Sequence, residues 1–339
     1  MYDSATDERC RVRSMALADE LGQVTHIFSD KTGTLTSNHM EFRRCIIGGV
    51  AYGCGETAIS RALRKASGQA PLRVSHEPLP AFASCKAGVA EFINFQEEEG
   101  VPSLLRSVTQ PDTHGCRARE LMVVMAVNHT VLLEDGKDGR VDLCASSPDE
   151  QAFVAAAEYF GFEFIERMPE AGLVKVHDKH TGLHHTVEVL EVFPYESSRK
   201  RMSVIVRLPP RLVEVCGGGC DVRLYCKGAD SVLLGLLAPG SAQSDDASME
   251  ALDALLGEWA DAALRTLVWA RRELPQFEQW NQRYKAAMGD PEEVRKLKAG
   301  EPNEILRLQA ELECELELQG ATAIEDKLQV TEEPFRAGV

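Results

Sequence analysis

The sequence predicts two architectures in one chain: an α/β, Rossmann-like opening, and an α+β body of antiparallel sheet with helices. Three observations carry this. Gln23–Ser29 (QVTHIFS) has the β-branched and aromatic content of a short strand and breaks into the polar loop Asp30–Thr36 (DKTGTLT). A strand running into such a loop places it at the strand's C-terminal edge, where α/β folds hold ligands. Farther on, Phe162–Ile165, Leu173–His177, His185–Val192, Met202–Leu208 and Val222–Cys226 read as successive strands joined by turns. Helical stretches at Ala152–Phe160, Ala251–Leu267, Gln276–Ala287 and Glu304–Leu318 complete the pattern.

In chain order, the texture changes after Cys45. Residues 66–120 carry Pro71, Pro78, Pro80, Pro102, Pro111 and the run Glu97–Glu99, and read as loops with a short helix or two. Leu121–Leu133 is apolar and reads as helix running into strand. Ser147-Pro148-Asp149-Glu150 is a helix start: Ser as N-cap, Pro in the first turn, Glu three residues on to complete a capping box. Gly161 is placed to end that helix. Ser231–Leu237 opens another helix, Pro239–Ser248 is a loop, and Leu267–Glu273 is a strand. In the last helix Ile305, Leu308, Leu312 and Leu316 share one face, a core stripe.

The 339 residues include 37 Lys+Arg and 53 Asp+Glu, for a net charge of −16. That length suggests about two domains. The acidity argues against a nucleic-acid partner, which needs clustered positive charge, and against adhesion to anionic lipid. The longest apolar run, Leu121–Val127, is far short of a membrane span, and the N-terminus has no signal-peptide core, so the chain reads as soluble and cytosol-facing. Cys216 and Cys220 flank three glycines without a second ligand pair, and read as reduced cysteines around a Gly-rich turn. His180, His184 and His185 read as solvated loop residues around a Thr-Gly turn.

The chemistry concentrates at Asp30-Lys31-Thr32-Gly33-Thr34. A carboxylate at a strand exit can attack a phosphoryl group to form an aspartyl-phosphate. The step needs positive charge and N–H donors for the transferred group, which Lys31, Gly33, Thr32 and Thr34 can supply. Mg²⁺ would bridge the Asp30 carboxylate and phosphate oxygens. An Asp-initiated turn is the plain alternative for a bare Asp-x-x-Gly.

The heptapeptide Asp30–Thr36 is identified as the phosphorylation signature of P-type ATPases, within the haloacid dehalogenase-like superfamily. Glu20–Val24, Ser147–Glu150, Arg199–Ser203, Lys227–Asp230, Leu264–Leu267 and Gly320–Gln329 follow in family order and resemble the type IV branch, the phospholipid flippases. The resemblance implies a partial phosphorylation domain (1–45), an inserted nucleotide-binding domain of antiparallel sheet plus helices (46–318), and a return to the first domain at 319–339. It implies ATP and Mg²⁺ as cofactors, Asp30 as phosphorylated nucleophile, Lys31 at the γ-phosphate, and Thr32 with Asp30 on the metal. Thr32 stands where phosphatases of the superfamily carry a second, acid/base Asp, which would let an aspartyl-phosphate persist. For the nucleotide it implies Glu150 on the adenine side, Tyr195 as stacking aromatic in place of Phe, Lys227 in the pocket and Arg265 on phosphate. Phe193 is a second aromatic candidate; Glu150 is equally explained as a capping-box partner; Arg199, Lys200 and Arg201 could supply positive potential or be a solvated strand edge.

The resemblance also implies a phospholipid substrate, a membrane reached through parts outside this chain, a flippase β-subunit as possible partner, and residence at the cytosolic face of that membrane. Val330–Val339 departs from the family, and its Thr-Gly-Asp and Gly-Asp-Gly motifs are absent, so an incomplete Mg²⁺ site and an inactive isolated chain are expected. Two other readings stay open: a non-enzymatic nucleotide-binding module and a free superfamily phosphatase.

Overall fold

The structure is a computed structural model and describes residues 2–3, 8–9, 22–26, 28–30, 33–70, 93–98, 100–135, 141–145, 147–239 and 246–329. The chain divides into two compact units, Met1–Ser37 with Leu328–Val339, and Asn38–Lys327. In the first unit, β1 (Tyr2–Asp3) pairs antiparallel with β2 (Glu8–Arg9). The strand expected over Gln23–Ser29 is not formed at its described residues, which lack regular structure, and Phe28 is 96% exposed. A buried parallel strand is stabilised by neighbours on both sides, and no described strand pairs with this segment. The Rossmann-like opening is therefore not seen among the described residues.

The second unit is built on a nine-stranded sheet in the order β4-β3-β13-β12-β11-β10-β9-β8-β7. Its strands are β3 (Thr36–Ile47), β4 (Val50–Tyr52), β7 (Phe162–Met168), β8 (Leu173–Asp178), β9 (Leu183–Glu196), β10 (Arg201–Arg207), β11 (Val222–Gly228), β12 (Arg265–Glu273) and β13 (Glu317–Leu328). A separate hairpin joins β5 (Leu132–Asp135) to β6 (Val141–Cys144). The run from β7 to β13 is antiparallel at each step. The five strands expected between Phe162 and Cys226 are all present.

Both faces of the central strands are covered, which explains why Met202–Val206 and Val222–Cys226 lack a polar alternation. Val204, Val206, Tyr225 and Trp269 turn to one core, and Ile205, Leu224, Cys226, Val268 and Ala270 to the other. After α1 (Ala58–Ala66), the first face is covered by α2 (Leu104–Ser107), α3 (Thr113–Val127), α4 (Pro148–Tyr159) and the short α5 (Pro210–Val215), of which α3 and α4 bring the most core residues. After the one-turn α6 (Asp230–Leu233), the second face is covered by α7 (Asp246–Asp261), α8 (Phe277–Gly289), α9 (Pro291–Ala299) and α10 (Glu304–Leu312).

Several boundaries differ from expectation. The region 66–120 contains most of a true helix: α3 begins at Thr113, where Asp112 caps Gly115 N at 2.7 Å, and its apolar end Leu121–Val127 is fully buried. The helix expected to reach Leu267 stops at Asp261, and Ala263 turns the chain with a positive φ of 60° before β12 starts at Arg265. The helix expected to reach Leu318 stops at Leu312; Glu315 has φ 51°, and Leu316 is buried from a bridge to Leu237. In both places strand pairing, a non-local contact, ends what local helical propensity would continue.

Candidate functional site

A cavity of about 550 Å³ lies in the second unit, lined by Thr130, Ser147, Asp149, Glu150, Phe153, Pro194, Tyr195, Met202, Lys227, Gly228 and Leu267. It thus gathers three of the residues singled out in the sequence: Glu150, Tyr195 and Lys227.

Lys227 is buried on β11, and its Nζ donates to Glu150 Oε1 and to the Asn128 carbonyl, each at 2.7 Å. It also lies 5.8 Å from the centre of the Trp269 ring. The other Glu150 oxygen accepts from Thr130 N (2.8 Å) and Thr130 Oγ1 (2.7 Å). Burial raises a carboxyl's pKa, yet the Lys227 ammonium and the Thr130 donors outweigh it and hold Glu150 at about 2. Burial in turn pulls Lys227 below its ordinary value, against the opposing pull of Glu150. The two side chains form a buried salt bridge.

Glu150 does not complete a capping box. Ser147 stands at the N-cap position but its side chain makes no cap hydrogen bond, so no capping box forms. Glu150 turns instead to Thr130 and Lys227, because a buried ammonium demands a counter-charge.

The strand break that selects the aromatic lies on β9. Ser203 pairs with Phe193, whereas Arg201 pairs with Glu196, so Pro194 and Tyr195 together oppose Met202. This β-bulge reverses the side-chain alternation. Phe193 goes to the far core, fully buried among Trp280 and Tyr284, while Pro194 and Tyr195 both line the cavity. Tyr195 is 59% exposed, whereas Phe193 is buried away from the cavity.

Arg265 is half exposed at the start of β12, and its Nη1 donates to Asp149 Oδ1 at 2.9 Å. It therefore reaches the site through a residue of the cavity lining. Gly228 also lines the cavity, but a side chain is forbidden there by packing: a Cβ would sit 2.6 Å from the Lys200 carbonyl and 2.7 Å from Arg201 Cβ.

Arg199 and Arg201 stand outside the cavity lining. Both pair with Glu313, whose side chain is fully buried and also accepts from Ser203 Oγ. Nor are the histidines all solvated loop residues: His185 is buried within β9, and His180 Nε2 lies 2.9 Å from the Phe160 carbonyl. His184 is exposed as expected but is a strand residue of β9, stacked on His177 with ring centres 4.4 Å apart. Cys216 and Cys220 are free thiols around three positive-φ glycines, and burial pushes the Cys216 thiol up, away from the thiolate a metal needs.

Asp30 is exposed in the first unit, and Gly33 follows with φ 78° and its N–H 3.3 Å from Thr36 Oγ1. Lys31 and Thr32 lie outside the described residues. Among the described residues no group of three His, Cys, Asp or Glu is arranged to hold a metal.

Sequence reasoning missed Thr130, Asn128, Asp149 and Met202. The polar run Asn128-His129-Thr130 directly after a seven-residue apolar stretch was the available signal for the first two. His129 holds this corner: its Nε2 lies 2.8 Å from the Ala126 carbonyl, Nδ1 accepts from Val131 N at 3.0 Å, and burial with nearby Arg167 keeps the ring neutral, at about 3.

Residues 117–331 match the family described as P-type ATPase, cytoplasmic domain N. The chain is 34% identical to phospholipid-transporting ATPase DNF1 of Saccharomyces cerevisiae, over 97% of this chain and 21% of that protein. It is 36% identical to probable phospholipid-transporting ATPase 12 of Arabidopsis thaliana, over 97% of this chain and 26% of that protein. It is 35% identical to phospholipid-transporting ATPase ID of Homo sapiens, over 94% of this chain and 23% of that protein. The chain thus spans about a quarter or less of the length of these relatives. No described helix is long and apolar enough to cross a membrane. With its antiparallel sheet, helices on both faces and family motifs gathered at one cavity, this chain belongs to the P-type ATPase family and contains the cytoplasmic domain N of its phospholipid-transporting, type IV branch.

Proposed function

We propose that this chain binds ATP for an ATP-driven phospholipid flippase, with the nucleoside in the cavity beside Lys227. The observation that carries this reading is the cavity itself: about 550 Å³, within the ordinary range for small-molecule sites, with one open aromatic face and a satisfied buried ion pair behind it. Tyr195 offers its ring to the base, with Met202, Phe153 and Leu267 as apolar walls. Glu150 and Lys227 present oriented polar atoms to the base edge. Arg265, at the side bearing Asp149, has the fork of donors that suits a polyphosphate.

In the whole protein Asp30 would attack the γ-phosphorus, the bond to the β-phosphate bridging oxygen would break, and ADP would leave. Support for that step is the Asp30–Thr36 motif. A Mg²⁺ ion held by Asp30 and Thr32 would supply positive charge for the transferred phosphoryl group. A phospholipid substrate, the cytosolic face of a membrane, and a β-subunit belong to the same reading, supported by the relatives' names and the motif order.

Calorimetric titration of the folded chain with ATP tests the binding. Saturable heat is expected, weakened roughly ten-fold by Tyr195→Ala and largely retained in Tyr195→Phe, as a stacked base is worth about 1–3 kcal/mol. Absence of binding by the folded chain would refute it.

A further inference from the structure

Among the described residues, three ionised groups line the cavity, Asp149, Glu150 and Lys227, and Arg265 joins them through Asp149 to make two pairs. Lys227 is neutralised by Glu150 at 2.7 Å and Arg265 by Asp149 at 2.9 Å. The two pairs differ in setting. The first is buried, with side-chain exposures of 9% and 8%; the second lies at the surface, with 47% for Arg265 and 25% for Asp149. A buried pair is expensive to open, whereas an exposed one exchanges partners cheaply. Asp149 sits in the first turn of α4, where the positive end of the helix dipole favours a carboxylate, so it is held in place while Arg265 on β12 is the mobile arm.

We propose that Asp149 is a specificity-determining residue: it occupies Arg265 across the mouth of the cavity, and a ligand phosphate must displace it to reach the guanidinium. The inference rests on the nucleotide-binding reading. At Arg265 an incoming phosphate therefore meets a guanidinium already paired, and a single phosphate merely replaces one carboxylate. Binding is selected by the nucleoside, and the phosphates contribute only what a chain of them offers beyond Asp149. The same competition returns Arg265 to Asp149 when the polyphosphate leaves, easing product release.

The test is titration of the full 339-residue chain with ATP and with adenosine, each with Mg²⁺ and with a chelator, for wild type, Asp149→Asn, Arg265→Gln and the double variant. Asp149→Asn is expected to tighten ATP roughly three- to ten-fold, by freeing Arg265 and removing a repelling charge, as exposed ion pairs and rim charges do. Adenosine should change less than about two-fold, since it carries no phosphate to compete. Arg265→Gln should weaken ATP alone, and in that background most of the gain from Asp149→Asn should vanish, which a double-mutant cycle reads directly. A tightening is a sign that structural damage does not produce.

Unchanged or weaker ATP binding by Asp149→Asn, with adenosine still bound, would overturn the latch and leave the pocket reading standing. So would a gain that persists undiminished beside Arg265→Gln, which would make Asp149 a simple repelling charge. A loss seen only with Mg²⁺ present would make Asp149 a metal contact instead. A folded wild-type chain that takes neither ATP nor adenosine would overturn both readings together.

Discussion

Replacing Lys227 by Met removes one half of the buried ion pair and keeps the side chain's length and apolar stem. Glu150 then keeps its two Thr130 donors, loses the ammonium at 2.7 Å, and stays buried; the Asn128 carbonyl loses its donor. The carboxyl's displacement from 4.5 to about 2 measures the excess of these interactions over burial. At roughly 1.4 kcal/mol per unit, that is about 3 kcal/mol. Breaking a buried pair from one side costs about 3–5 kcal/mol on general grounds. In the variant, burial dominates and the carboxyl rises above 4.5. The sign follows: the wild-type group stabilises the fold fully above its ordinary value and loses that contribution as pH falls toward 2, whereas the variant's group destabilises at neutral pH and is relieved on protonation. The assay is urea unfolding followed by tryptophan fluorescence, at pH 7 and stepwise down to pH 5. Lys227→Met should lose about 3–5 kcal/mol at pH 7 and a smaller amount at pH 5, and adding Glu150→Gln should restore much of it. A deficit below about 1 kcal/mol, or one that does not change with pH, would refute the account of a charged, mutually dependent pair.

Thr130→Val removes a hydroxyl donor from a charged acceptor and should cost about 2 kcal/mol of stability and weaken ATP binding, with Thr130→Ser retaining both; unfolding and titration on the same samples decide it. Gly228→Ala should lower the melting temperature through a forced backbone shift of about 2 kcal/mol, since the added carbon meets a carbonyl rather than a flexible side chain. His129 is held neutral, at about 3 against an ordinary 6.5. The unfolded chain takes up that proton first, so stability should fall by about 2 kcal/mol between pH 7 and pH 5, and His129→Gln should flatten that part of the profile.

Much of the fold was legible because it rests on local pattern. The strands between Phe162 and Cys226 announce themselves by β-branched runs, and Gly161 stops α4 where a left-handed residue was needed. Helix ends before β12 and β13 were not legible, because the competing interaction is a strand partner dozens of residues away. The strand expected before Asp30 has the right residues but no described partner, and a parallel strand has no local source of stability. At the site, the motifs pointed to Glu150, Tyr195, Lys227 and Arg265, but not to what each touches.

Sequence alone determined the family, the polar motifs and the central strands, since these depend on residue identity and spacing. Only the tertiary structure put Tyr195 at the cavity and Phe193 in the far core, because a one-residue bulge opposite Met202 inverts the alternation without leaving a sequence signature. Only it turned Glu150 from a helix cap into the counter-charge of Lys227, and joined Asp149 to Arg265. The physical reason is common to all three. A side chain's role follows from the charge and space that distant segments bring beside it, and burial makes those long-range pairings outweigh local preference.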